Sequence, residues 1–421
     1  MRARFVLAGA LLATVAAPAG ATAATPALTA QAQAANAAFL AYAPAPPHGA
    51  GALCLVDTGV HANPDTTPGL LSATALDGGS GEDSDPQGHG TTMAMIAGAA
   101  GVGMVGAWPQ LKIVSVRASS QPSPGQAPTF EFNNYWEGIQ HCLEHQSLHI
   151  YAIDLALSSS IPPSPDQAQT MQSAVAQADA NNVAIVAAAG NTPGPVEEPG
   201  AEPGILAVGA STAQPDQTSS GAEGSVCSFS ANQGLTFYAP GCGLNEADPF
   251  TDQPNCCGNG TSQASAFTAA VLVALMSYDP SLTSKRAEQL LVSTATNGDL
   301  NAGAAFAADG LGSVVAAGNA NIPKPPAASA PAPTAAAGAP RGPGSVALRV
   351  LRWHRGLLTI GIAQMPHGER LHVRLEFAHG ARRVITRRSR LTIHTSRPRA
   401  VELRLVLGKA DGPVLKVTLE R

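Results

Sequence analysis

The stretch from Asn259 to Met276, NGTSQASAFTAAVLVALM, sets the strongest constraint on how this chain can fold. It opens in a small-residue turn and from Ser265 onward is apolar nearly all round. A helix of that kind has no face to give to water, so it must lie inside a domain; it is too short to span a membrane. The layers needed to enclose it are offered by short apolar runs at Ala52–Val56, Lys112–Val116, Ile150–Leu157, Val183–Ala189 and Ile205–Val208. These runs are continuous rather than alternating, as in parallel strands covered on both faces. Helical stretches fall between them at Thr91–Ala100, Asn134–His145 and Gln167–Asn181. The expected fold class is therefore α/β, a doubly wound and mainly parallel sheet.

Ser262 stands where the buried helix begins. The first backbone N–H groups of a helix lack intrahelical partners and lie at the positive end of its dipole, so they can stabilise developing negative charge. Alone, Ser262 is better read as a helix N-cap. Doubly wound sheets, however, gather functional residues at the C-terminal ends of their strands. Asp57 follows Leu53-Cys54-Leu55-Val56 directly, His89 sits in the turn Gly88-His89-Gly90-Thr91, and Asn191 follows Ala187-Ala188-Ala189-Gly190. Each has an ordinary reading as a turn, helix-end or loop residue. Together, each at the end of an element, they point to nucleophilic catalysis.

The segments VDTGV (56–60), GHGT (88–91), AAGN (188–191) and GTSQAS (260–265) resemble the subtilisin-like serine proteases, the subtilases. Ile153–Ser159 resembles that family's substrate-binding strand, and Pro199–Ala210 the strand after its oxyanion asparagine. Ala239-Pro240-Gly241 and Leu300–Ala308 resemble the approach to the serine and the closing helix. The resemblance covers about residues 50–318. It implies a secreted serine endopeptidase that hydrolyses peptide bonds through an Asp-His-Ser triad and an acyl-enzyme, in the chain order known for subtilisin. Ser262 would be the nucleophile, His89 the general base, Asp57 the orienting carboxylate and Asn191 the oxyanion-hole donor. A polypeptide substrate would add as a strand along Ala156, Leu157 and Ser158. Its pocket would lie between that edge and Ala188, Ala189 and Gly190. Glu197 and Glu198 are expected at the pocket rim, favouring Lys or Arg before the scissile bond. Asp85 matches a frequent family acid and is expected to order the His89 loop. The chain departs from the family at Ala266, where Pro is usual, and at Phe267, often His. The same constellation also suits a non-proteolytic acyl hydrolase or a catalytically silent binding protein.

No cofactor is required by this chemistry. Structural calcium is common in the family but falls on no loop of regularly spaced carboxylates here. His141, Cys142, His145 and His149 have a spacing open to zinc, but also suit a packed or solvated helix face; no metal ligand is assigned.

Residues 1–23 read as a secretory signal, with Arg2 and Arg4, an apolar Phe5–Ala17 and the small Ala21-Thr22-Ala23. Residues 24–49 are an Ala/Pro-rich leader, expected to be extended or weakly ordered. A catalytic region is expected at 50–318, a Pro/Ala-rich linker at 319–344, and a basic β-sandwich module at 345–421 made from seven alternating runs. Charge divides with the module: residues 346–421 hold 16 Lys/Arg and 5 Asp/Glu, while 1–345 hold 8 and 24. The module is open to two readings, a binder of an anionic surface or polymer and a charged spacer. The six cysteines fit an exported chain. Cys227, Cys242, Cys256 and Cys257 are expected to pair among themselves, and Cys54 to be a buried thiol. A monomeric extracellular protein without a transmembrane span in its mature form is expected.

Overall fold

A computed structural model of the chain describes residues 28–76, 85–120, 129–214 and 222–323, together with strands between 348 and 418. The expected signal segment and most of the linker lie outside the described residues. Contacts divide the chain into two compact units that meet at Pro323 and Lys324.

In the first unit the strands are β1 (Ala52–Asp57), β2 (Leu70–Ala75), β3 (Lys112–Arg117), β4 (Ile150–Leu155), β5 (Ala184–Ala188), β6 (Leu206–Thr212), β7 (Phe237–Ala247) and β8 (Pro254–Asn259). The helices are α1 (Ala30–Ala34), α2 (His89–Gly98), α3 (Phe132–Glu144), α4 (Pro165–Ala180), α5 (Thr261–Tyr278), α6 (Ser284–Thr294), α7 (Ala302–Ala308) and α8 (Gly312–Asn321). The sheet runs β2-β3-β1-β4-β5-β6-β7-β8, parallel throughout except for the antiparallel β7–β8 pair. The strand order reverses at β1, which lies between β3 and β4. Connections after β1 and β4 therefore leave in opposite directions and open a crevice at their C-terminal ends.

Successive side chains on a strand point to opposite faces, and β1 shows the result. Leu53 and Leu55 join a core with Met93 and Ile96 of α2 and the apolar body of α5, whereas Ala52, Cys54 and Val56 join a second core under α3 and α4. Every residue of α5 is buried, as its composition requires. Parallel strands covered on both faces explain why the runs in sequence are continuous rather than alternating.

Two expectations are overturned. The leader is not loosely ordered. It forms α1 and a 3-10 turn at Ala38–Ala41, and it buries Phe39 and Leu40. Gln31 Nε2 donates to Asn245 O at 2.8 Å, Ala302 N–H donates to Ala35 O, and Phe39 meets Phe306 edge-on at 5.1 Å. Alanine-rich sequence hides these few anchors. Cys54 is likewise not a thiol: it is bonded to Cys142 and fastens β1 to α3. Cys227 pairs with Cys242, within the late set as expected. The side chains of Cys256 and Cys257 lie outside the described residues.

The second unit contains a three-stranded antiparallel sheet, β9 (Leu348–His354), β10 (Leu357–Ile362) and β13 (Arg390–His394), in the order β13-β10-β9. Its other sheet holds β11 (Arg370–Phe377), β12 (Gly380–Thr386), β14 (Ala400–Leu407), β15 (Ala410–Asp411) and β16 (Leu415–Thr418). Leu371, Val373 and Leu375 are buried while Arg374 is exposed, the alternation of a half-covered antiparallel strand. The two-residue β15 is additional to the seven runs read from sequence.

Because Phe39 is 1% exposed against Phe306, Phe39→Ala should cost about 3–5 kcal/mol. The check is the denaturation midpoint in a Ser262→Ala background; an unchanged midpoint would restore the picture of a loose leader.

Candidate active site

Asp57 is the last residue of β1 and shares the face of Leu53 and Leu55, towards α2. It is fully buried, and Thr58 N–H donates to its Oδ1 at 2.6 Å. His89 is the first residue of α2, and its Nδ1 lies 2.8 and 3.0 Å from the two Asp57 oxygens. Gly90 permits this approach, because a Cβ there would strike the Gly59 carbonyl and the Asp57 side chain.

The turn is held by Asp85, buried at 2% exposure. Its Oδ1 accepts from Thr58 Oγ1 at 2.8 Å and from Gly88 N–H at 2.8 Å. Its Oδ2 accepts from the Thr91 N–H and hydroxyl at 2.8 and 2.7 Å. One carboxylate thus caps the first turn of α2 and ties it to the residue after Asp57. The structure gives Asp85 the ordering position expected for it.

Ser262 lies in the first turn of α5. Its Oγ donates to Ala156 O at 2.9 Å, just beyond the end of β4, and no hydrogen bond to His89 is formed in this rotamer. Asn191 follows β5, with its Oδ1 accepting from Thr261 N–H at 2.9 Å and Thr261 Oγ1 at 3.1 Å. With Oδ1 committed, Nδ2 is the side-chain donor that Asn191 has left. Thr261 was not singled out by the sequence, yet its contacts are what orient Asn191. Its hydroxyl also accepts from Gly190 N–H at 3.2 Å.

The Ala156-Leu157-Ser158 edge and the Ala188-Ala189-Gly190 wall are joined by Glu197. Ser158 Oγ donates to Glu197 Oε2 at 2.7 Å, and a Cβ on Gly190 (φ 110°) would meet the Glu197 carboxyl. Glu198 forms a two-way backbone bridge with Ser159 at 2.7 and 2.9 Å. Glu198 lies near Tyr135 and Glu202. Burial, then the Glu202 charge, raises the Glu198 carboxyl. Tyr135 is pushed up to about 12 by burial and by Glu198 and Glu202.

Burial opposes a charge on His89, but the Asp57 charge and hydrogen bond, with smaller help from Asp85, outweigh it and raise the imidazole to about 9. With Nδ1 held by Asp57, Nε2 is the nitrogen free to take a proton. Only the neutral ring can do so; activity that depends on it falls as pH drops through that value.

The His141 cluster does not assemble as a metal site. Cys142 is in a disulfide, and His145 Nδ1 is engaged by the His141 carbonyl at 2.7 Å. Among the described residues no group of three His, Cys, Asp or Glu side chains is arranged to hold a metal. Asp65, a buried carboxylate, accepts four backbone N–H groups from residues 101–104 at 2.7–2.9 Å. No described helix is long and apolar enough to cross a membrane.

A sequence model of the subtilase family matches residues 50–312, more than half of the chain. The chain is 26% identical over 248 residues to M-protease of Shouchella clausii (strain KSM-K16), a match covering 58% of each protein. It is 26% identical over 249 residues to Subtilisin Savinase of Lederbergia lenta, covering 58% of this chain and 83% of that protein. In fold it is similar to a structure of the subtilase cytotoxin SubAB, with a TM-score of 0.55 and 18% identity over 69% of this chain and 97% of that one. The family match spans more than half of the chain, and this chain is a member of the subtilase family.

Proposed function

We propose that the protein is an exported serine endopeptidase that cleaves extended polypeptides through Ser262, His89 and Asp57. The observation that carries this reading is the pairing of His89 Nδ1 with the buried Asp57 carboxylate at 2.8 Å, together with a helix-terminal serine whose neighbour Thr261 orients Asn191. Ser262 Oγ turns from Ala156 O towards His89 and gives its proton to Nε2 as it attacks the scissile carbonyl. Asp57 holds the ring and balances the imidazolium. The oxyanion is met by Asn191 Nδ2 and the Ser262 N–H, in a helix first turn that has no intrahelical use for it. His89 then protonates the leaving amine, and water, activated by the same ring, releases the acyl group.

Substrate pairs with the 156–158 edge, and the residue before the cut enters beside Glu197. That carboxylate has one oxygen engaged by Ser158, which leaves the other to pair with a basic side chain. Export rests on the signal-like N-terminus and on two disulfides, which persist in oxidising compartments. The Arg-rich module is read as an attachment to anionic polymer or surface. No cofactor enters the reaction.

Casein hydrolysis should be lost in Ser262→Ala and should fall by about 10²–10³ in kcat in Asn191→Ala. A Ser262→Ala protein that still cleaves casein would remove the reading. On paired peptide substrates, Glu197→Gln should lower the Lys-over-Leu preference by about three- to tenfold, about 0.7–1.4 kcal/mol, the scale of a partly exposed ion pair. A wild-type profile confined to large apolar residues would refute the basic pocket.

A further inference from the structure

Gln263 is the residue after Ser262, and its side chain reaches a strand that no step above uses. It stands in the first turn of α5 and is 9% exposed. Its Nε2 donates to Glu246 Oε1 on β7 at 3.1 Å. Its Oε1 lies over Gly260, 2.4 Å from where a Cβ would stand. Glu246 is half-buried and lies one residue from the end of β7, beyond the register shift between Leu244 and Asn245. Its carboxyl lies across Gly258 of β8: a Cβ there would fall 1.8 Å from Oε1 and 2.4 Å from Oε2. The acid therefore fills the place that a side chain at 258 would take. Among the described residues Gln263 is the donor it receives, on Oε1, which leaves Oε2 to accept from another group.

Ser262 lies between two strands. Its hydroxyl meets Ala156 O just beyond β4, and the next residue meets β7 through Glu246. In the sheet β7 is three strands from β4, about 14 Å at ordinary strand spacing. The acyl half of a substrate pairs with the 156–158 edge, so Glu246 stands on the leaving-group side. The β7–β8 hairpin also flanks His89, which protonates the leaving amine. A Cβ on Gly88 would meet Pro249 at 2.6 Å and Phe250 at 3.1 Å, and Asn63 Nδ2 donates to Pro249 O at 3.0 Å.

We propose that Glu246 is a specificity-determining residue on the leaving-group side, selecting Lys or Arg among the first two residues after the scissile bond, with Gln263 holding its carboxylate in place. A half-buried carboxylate has already lost part of its hydration, and a cation that meets it gains a charge-assisted hydrogen bond. Burial raises the Glu246 carboxyl above its ordinary range, against the Gln263 hydrogen bond and the His89 charge. The inference rests on the reading of Ser262 as the nucleophile.

Acylation by a nitrophenyl ester, followed by partition of the acyl-enzyme between water and an added amine, reads the leaving-group side alone. The amine nitrogen attacks the Ser262 ester, the bond from the acyl carbon to Oγ breaks, and the amine's proton passes through His89 Nε2 to Oγ, which is acylation reversed. Argininamide and citrullinamide are the acceptors, alike in shape and different in charge. Wild type should capture argininamide about three- to tenfold better, and Glu246→Gln, which keeps an acceptor for Gln263, should bring the ratio towards one. Equal capture by wild type, or an unchanged ratio in the variant, would overturn the proposal. Gly258→Ala keeps the charge but displaces the carboxyl, so it too should lose the preference; a ratio equal to wild type would contradict the placement. The wild-type ratio should shrink as ionic strength rises, a check that needs no variant, and indifference to salt would refute recognition by charge. Glu197→Gln should leave the acceptor ratio where it is, since that acid lies on the acyl side; loss of the ratio there would overturn the assignment of sides. No burst of nitrophenol would remove the reading of Ser262 and this inference with it, whereas a burst followed by equal capture would overturn the inference alone.

Discussion

Burial of α5 is the constraint on which the first unit depends. All of its residues, Thr261 to Tyr278, are withdrawn from water. A helix of that kind needs a sheet on one side and other helices around the rest. The sheet supplies β4 to β7, and α2 packs along the helix itself. The N-terminal turn of α5 must then emerge at the edge of this packing, at the C-terminal ends of parallel strands. The position of Ser262 is a consequence of where a fully buried helix is allowed to begin. The leader belongs to the same packing: Phe39 and Phe306 close against Tyr278 at the far end of α5.

Much of this was legible in the sequence where burial is two-sided. The continuous apolar runs locate β1, β3, β4 and β5 to within two residues, because strands covered on both faces admit little else. β2 escaped notice since it lies at the sheet edge, mostly half-buried, with Ser and Thr among its residues. β7 and β8 escaped for another reason. FYAPGCGLNEA carries Pro, Gly and a disulfide cysteine, a composition that reads as loop. Disulfide pairing was not legible, since Cys54 and Cys142 lie 88 residues apart and meet only once α3 lies on β1. Of the site, the four chemical residues were visible through their motifs. Their support was not: Thr261 orienting Asn191 depends on tertiary contacts.

The electrostatics of the site follow from the same geometry. The end of β1 puts Asp57 in a dry position where its charge is little screened, and α2 begins against it. His89 is consequently held up to about 9 despite burial that works the other way. Asp85 sits close by and accepts five hydrogen bonds, four from the turn that opens α2 and one from Thr58, so it fixes the geometry of that turn. Glu197 is tied to the 156–158 segment through Ser158.

The central claim is that one serine, activated by one imidazole, does the chemistry. Covalent labelling by a fluorophosphonate, followed by peptide mapping across pH, tests it most directly. The account predicts a single adduct on Ser262, formed slowly at neutral pH and faster as pH rises towards about 9, where His89 loses its proton. In Asp57→Asn the imidazole loses the charge that raises it, so the rise should move to lower pH and the maximum rate should fall. Label on another residue, no label at all, or a rate on Ser262 that ignores both pH and Asp57 would contradict the account.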